Sequence, residues 1–241
     1  MFTHIPQIVH GIDVATTSTK DNAFPVGISV VTIDVATLQV FGCISVFADH
    51  EDPKAKKVFD YSDASLSWWK GSKENSPSKL AYDLTFNAEF KVLIPDALKS
   101  ISDYLYQWKK YNQTVASKTP SFDTTVLINA CNICDVPLTL LGFHTLLDSA
   151  HTALRSMMFM GFEPNLANES KAWTKGRSFI EHFAPHEAGE AGYVTARLYH
   201  LLYLQSIDHE LAKEAAELMK DGKYNYTEFS LKHKTKLVKG E

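Results

Sequence analysis

Cysteine is scarce in this chain, and the little there is cannot build a scaffold. Three of the 241 residues are cysteines, Cys43, Cys131 and Cys134, an odd number without the spacing of a disulfide framework. Cys131-Asn132-Ile133-Cys134 reads C-x-x-C, but no second pair completes a tetrahedral zinc site, so buried thiols are expected. Long apolar runs are missing too: nothing approaches the roughly eighteen consecutive apolar residues of a membrane span, and the N-terminus has no basic-then-apolar leader pattern. Nor is there an excess of positive charge. The net charge of −4 argues against bulk electrostatic binding to nucleic acid, which needs a basic face, but not against an enzyme that grips only a strand end. Repeats, linkers and low-complexity tracts are absent. With 45% hydrophobic and 22% charged residues, the chain has the composition of a soluble globular protein. The expectation is a cytoplasmic protein of one domain covering residues 1–241.

What is present starts with β-branched runs. Residues 7–13, Val26–Ile33 and Leu38–Phe47 predict three strands, with a tight turn between the second and third. Ser65–Lys70 begins a helical piece. Pro95–Lys110 repeats apolar residues at three and four, with Asp96 near its start and Lys109 and Lys110 near its end, as a helix macrodipole prefers. Thr124–Ala130 predicts a fourth strand, and Pro137–Leu147 a helix beginning just after Asp135. Ala153–Phe162 fits strand or helix equally, because its period does not decide. After a polar stretch, Asn165–Arg177, a long helix is predicted from about Glu187 to Met219. Strands first and helices interleaved later make a mixed α/β domain, a central sheet flanked by helices.

Two carboxylates stand at comparable places, Asp13 at the end of the first strand and Asp135 where the fourth predicted strand hands over to a helix. Strand ends in α/β sheets are where sites form, although either residue alone also suits a cap or a turn. His186 precedes the long helix, where a histidine serves equally as a cap. Trp68 and Trp69 are adjacent, so on a helix they cannot face the same way; one packs inward, and the other is free to stack on a base. The basic clusters Lys54–Lys57 and Lys232–Lys239 read as solvated faces.

Taken together these segments resemble the DEDD superfamily of 3′–5′ exonucleases, in its histidine-containing branch and close to the DexA-type phage enzymes. That family's Asp-x-Glu-Thr at the first strand is similar to Asp13-Val14-Ala15-Thr16. Its Ser-Thr-x-x-Trp-Trp segment resembles Ser65-Leu66-Ser67-Trp68-Trp69-Lys70. Its Phe-Asp followed by an apolar helix is similar to Cys134-Asp135-Val136-Pro137-Leu138, its Arg-Thr segment is echoed by Leu154-Arg155-Ser156, and its His-x-Ala-x-x-Asp is similar to His186-Glu187-Ala188-Gly189-Glu190-Ala191. In this alignment two of the four family carboxylates, at 15 and 191, are alanine.

The resemblance implies a ribonuclease H-like α/β fold and stepwise hydrolysis from the 3′ end of single-stranded DNA or RNA, DNA being favoured. It also implies two divalent cations, magnesium or manganese, that activate water and stabilise the leaving oxygen. Asp13, Asp135 and positions 15 and 191 would hold the ions, His186 would accept the proton, and Thr16, Trp68 and Trp69 would contact substrate. Ala15 and Ala191 then predict a nearly inactive chain. Two losses of the same truncation chemistry point to a deliberately inactivated version rather than drift. The rival expectation is a pseudo-exonuclease that binds strand ends or a protein partner without cutting.

Overall fold

The computed structural model describes residues 5–71, 73–137, 147–162, 173 and 183–237. In chain order its elements are β1 (Ile8–Thr16), β2 (Pro25–Asp34), β3 (Val40–Phe47), α1 (Asp63–Lys70), α2 (Pro77–Phe86), α3 (Ile94–Tyr106), β4 (Gln113–Ser117), α4 (Pro120–Cys134), β5 (Leu147–Ser149), α5 (Ala150–Phe159), α6 (Ala184–Ile207), α7 (His209–Lys220), α8 (Tyr226–Lys232) and α9 (Lys234–Leu237). The five strands form one mixed sheet in the order β3-β2-β1-β4-β5. β1 to β3 are antiparallel, whereas β4 joins β1, and β5 joins β4, in parallel. The three predicted N-terminal strands are all there. β1 is central and nearly continuously buried, as a strand covered on both faces must be.

The fourth strand is not where β-branched composition placed it. Thr124–Ala130 lies inside α4, and the strand that pairs with β1 is the short Gln113–Ser117. Pro120 occupies the first turn of α4, and Phe122, Val126, Leu127, Ala130 and Cys131 fall at helical spacing against the sheet. Thr124 and Thr125 turn their hydroxyls back onto the Pro120 and Ser121 carbonyls, which lets β-branched residues sit in a helix. Asp135 is consequently not at a strand end. It caps the C-terminus of α4 in the left-handed conformation, φ 53°, with its side chain exposed.

Among the helices, Pro95–Lys110 is α3, and Ala153–Phe162 resolves as α5. The long predicted helix starts earlier, at Ala184, and breaks at Asp208, whose extended backbone ends α6 and whose side chain caps α7 by accepting from the Glu210 N–H at 2.8 Å. The predicted helix Pro137–Leu147, but for its two end residues, and the stretch Asn165–Arg177, but for Trp173, lie outside the described residues. Cys131 is a buried free thiol, Cys134 is half-buried and Cys43 exposed. Three lysines of the two basic clusters sit beside acids: Lys56 on Glu51 at 2.5 Å, Lys232 on Glu214 at 2.6 Å and Lys236 on Asp208 at 2.5 Å. No helix among the described residues is long and apolar enough to cross a membrane.

Helices cover both sheet faces. α3 and α4 set Leu98, Ile101, Leu105, Val126 and Leu127 against Ile12, Val14, Ile28 and Val30. On the other face α6 sets Ala188 and Ala196 against Val9, Val31 and Ile33, while its outer side packs Val194, Leu198 and Leu201 on α5 and α7. α6 meets β1 backbone to backbone. A Cβ on Gly11 would stand 1.9 Å from the Ala188 carbonyl oxygen, and one on Gly192 2.9 Å from the Gly11 Cα. Only two glycines permit that approach. Replacing Gly11 by alanine must push the helix off the strand and is expected to cost about 3 kcal/mol, read as a lower urea midpoint at unchanged slope.

Candidate active site

A cleft of about 600 Å³ opens at the C-terminal end of β1. Because β1 and β4 run parallel, their carboxyl ends lie side by side, the place where α/β sheets form crevices. Asp13, Ala15 and Thr16 of β1 form one wall, Ser65, Trp68 and Trp69 of α1 the opposite one, and Phe122 from the first turn of α4 and Glu187 from the first turn of α6 close it. Ser62 fixes the start of α1 by accepting from the Ser65 N–H at 3.3 Å.

Three carboxylates from three elements interact here: Asp13, Asp123 and Glu187. Burial pushes the Asp13 carboxyl well above the usual range, and the negative charges of Asp123 and Glu187 push it further, with Lys118 opposing. Asp123 is pushed up to about 6, by burial first, although the Ser117 hydroxyl and the Thr119 N–H favour its charge and Glu187 again disfavours it. The Thr119 N–H donates to Asp123 Oδ2 at 3.3 Å. Lys118, next to the end of β4, places its Nζ 3.2 Å from Glu187 Oε1 and 2.5 Å from Glu190 Oε2. Burial lowers the Lys118 ammonium's pKa, but the two glutamates more than offset it and hold it above its ordinary value.

The structure brings together some of the residues expected from sequence and separates others. Asp13, Ala15, Thr16, Trp68 and Trp69 all line the cleft. Trp69 is tied down, its indole N–H donating to the Thr16 carbonyl at 2.9 Å and its ring leaning on Phe86. Trp68 meets it edge to face at 5.0 Å and is 54% exposed. Asp135 is at the far end of α4, twelve residues and about 18 Å of helix from Asp123. His186 is buried and does not line the cleft. Ala191 is fully buried among the apolar side chains between α5 and α6. A carboxylate there would be stranded in the core, and Ala191 packs in that core as the structure stands.

Asp123 and Glu187 are the acids that sequence reading missed, and both carry a signal. Phe122-Asp123, followed by an apolar helix, has the literal Phe-Asp of the motif that was matched to Cys134-Asp135. The spacing His-x-Ala-x-x-acid is met four residues earlier by His182-Phe183-Ala184-Pro185-His186-Glu187. His182 lies outside the described residues.

No protein-family model matches the chain, and neither does any curated protein. Solved structures do. A product-bound exonuclease I is 12% identical with a TM-score of 0.51, over 86% of this chain and 48% of that one. The exonuclease I of Methylocaldum szegediense is 13% identical with a TM-score of 0.49, over 86% of this chain and 45% of that one. The nuclease domain of 3′hExo, a DEDDh family member bound to rAMP, is 12% identical with a TM-score of 0.49, over 85% and 94%. This chain thus spans about half the length of the exonuclease I chains. The likeness shows the fold: a ribonuclease H-like α/β domain of the exonuclease type.

Nucleases of this architecture imply divalent cations. The oxygen donors are of the right kind for magnesium or manganese, but position 15 offers a methyl group and Lys118 sits on Glu187. Among the described residues, no three acidic, imidazole or thiolate groups are grouped so as to hold one metal ion. As arranged, these residues do not fit a divalent ion.

The crowding of negative charge has a thermodynamic consequence. A carboxyl whose folded pKa is about 6 against 3.8 unfolded costs stability above pH 6, and the cost fades as pH falls from 6 to 4. Asp123→Asn keeps an oxygen for the Thr119 N–H and removes the charge. It is expected to gain about 1–2 kcal/mol at pH 8 and nothing at pH 4, measured by urea unfolding across that range.

Proposed function

We propose that this chain is of the 3′–5′ exonuclease kind, a phosphodiester hydrolase whose cleft receives the 3′ end of a single-stranded nucleic acid, with DNA favoured by the resemblance to phage enzymes. The observation that carries this reading is the convergence of Asp13, Asp123 and Glu187, from three separate elements, at the carboxyl ends of β1 and β4 beside an exposed tryptophan. Trp69 is the fixed floor, and Trp68 is the face on which a terminal base stacks. Thr16, with its hydroxyl donating to the Ser18 carbonyl at 2.7 Å, shapes the turn under that base. By spacing, the proton acceptor first read onto His186 is His182, and Glu187 takes the place first read onto Ala191.

Ala15 then leaves the acidic centre one carboxylate short, not two, and hydrolysis by the unmodified chain is slow. The paired truncation that pointed to deliberate inactivation is reduced to one residue. A second reading, a module that holds strand ends without cutting, is favoured by that same Ala15.

Ala15 pairs with Gly27 across the ladder and lines the cleft. Ala15→Glu is expected to raise cleavage of labelled DNA and RNA oligonucleotides in magnesium or manganese by at least about 100-fold, since even outer-shell changes at metal sites move activity by 10–100-fold. The products should shorten from the 3′ end. Absence of cleavage by Ala15→Glu would favour the binding module. Adding Trp68→Ala to that variant should weaken oligonucleotide binding about 10-fold, in the range of one base stack, with no change in melting temperature.

A further inference from the structure

The sheet ends on one side in β3, and the outer edge of that strand is open. Alternate residues of an antiparallel strand direct their backbone groups to opposite edges. The Ala48 N–H donates inward, to the Val26 carbonyl at 2.7 Å, whereas the Phe47 carbonyl accepts on the outside from the Val92 N–H at 3.0 Å. Counting back by twos, Ser45 and Cys43 also direct their N–H and C=O outward, and among the described residues no strand pairs with them there. Val40–Phe47 holds no charged residue and no proline, the devices that keep edge strands from pairing.

The two ends of this edge differ. At one end Phe41 is 46% exposed and lies on Trp108, ring centroids 5.9 Å apart. Lys109 and Lys110 follow, each over a tyrosine ring. At the other end a cavity of about 570 Å³ opens between Ser45–Phe47, α2 and the chain that follows α2, with exposed Leu84 and Phe90 beside Asp83 and Glu89. One end is thus an aromatic knob with positive charge, and the other an apolar hollow with negative charge.

We propose that this edge is a dimer interface: β3 of a second copy of the chain adds to it antiparallel, about a two-fold axis at Cys43, and the two five-stranded sheets become one. Cys43 then faces its own counterpart, and each Phe41 lies opposite the partner's Ser45, which lines the cavity. The same rotation brings the Lys109 and Lys110 end of each copy to the Asp83 and Glu89 end of the other, so the charges complement twice. A strand pair alone buries less than the roughly 800 Å² per partner of a stable interface, so the knob and the cavity are needed as well. An isologous contact of this kind closes on itself and does not propagate into the open-ended stacking that a bare edge invites.

The experiment is sedimentation equilibrium of the full chain over a range of concentrations, with amide hydrogen exchange read at the highest and the lowest. The expected result is a monomer–dimer equilibrium in which the Cys43 and Ser45 N–H groups are protected in the dimer and exchange freely on dilution. Cys43→Lys sets two like charges face to face and is expected to raise the dissociation constant at least about tenfold, with the melting temperature of the dilute protein unchanged. Glu89→Lys and Lys110→Glu, both on exposed side chains, are each expected to weaken the dimer, and the two together to restore it. General destabilisation gives no such rescue, so these reversals stand in where Cys43→Lys disturbs the fold. A protein that stays monomeric at the highest concentration, a dimer that Cys43→Lys leaves intact, or a double reversal no better than either single one overturns the proposal. So does protection of both amides in the dilute monomer, which means that the chain covers its own edge.

Discussion

The contact between the backbones of Gly11 and Gly192 is the constraint on which the site depends. It fixes α6 against the central strand at a distance no side chain allows. Glu187 lies five residues before Gly192, about 7.5 Å along a helix, and Asp13 lies two residues beyond Gly11, about 7 Å along a strand. One backbone contact therefore carries two carboxylates to the same edge of the sheet. The parallel pairing of β4 with β1 does the same for the third, since the chain leaves β4 at that edge and enters α4 within a few residues.

Bringing the acids together is unfavourable in itself. Two of the three carboxyls are raised by burial and by neighbouring negative charge, and the Lys118 ammonium beside them is committed to the α6 glutamates. The fold tolerates this because both sheet faces are closed by apolar layers that the acids do not interrupt. Strain of this kind is concentrated where chemistry or binding occurs. Histidine is the contrast: His10 and His200 are buried, and burial pulls each down to about 4 against hydrogen bonds to Gln113 and the Val35 carbonyl. They are neutral packing residues far in character from the cleft.

The parts of the fold legible in the sequence were those where pattern and length agreed. The β-branched runs of β1 to β3 left no helical alternative, and α3 announced itself by its apolar stripe. α4 misled because Thr124, Thr125, Val126 and Ile128 have strand propensity, while the helix is decided by Pro120 at its start and by the face it buries. That misplaced strand carried the motif match to Asp135, whereas Asp123 is the acid that interacts with Asp13 in the structure. The last motif fits two registers: alanine recurs through this helix, so Ala188 satisfies a spacing that Ala184 satisfies with an acid in place. Only burial separates the two registers, since Ala191 is in the core and Glu187 is in the cleft. The division of labour between Trp68 and Trp69 was legible, because neighbours on a helix diverge by about a hundred degrees.

The order of the three acids along the chain sets the order in which the site is made. During synthesis β1, α1, β4 and α4 emerge first, so the tryptophan wall and two acids can assemble while α6 is still to come. Until it arrives, Val9, Val31 and Ile33 on one sheet face lack the cover of Ala188 and Ala196, and the groove at Gly11 is open. A nascent chain in that state offers a less covered apolar sheet face to its neighbours, the kind of surface that aggregates. The last helix to reach the acidic edge is thus also the one that makes the growing chain safer.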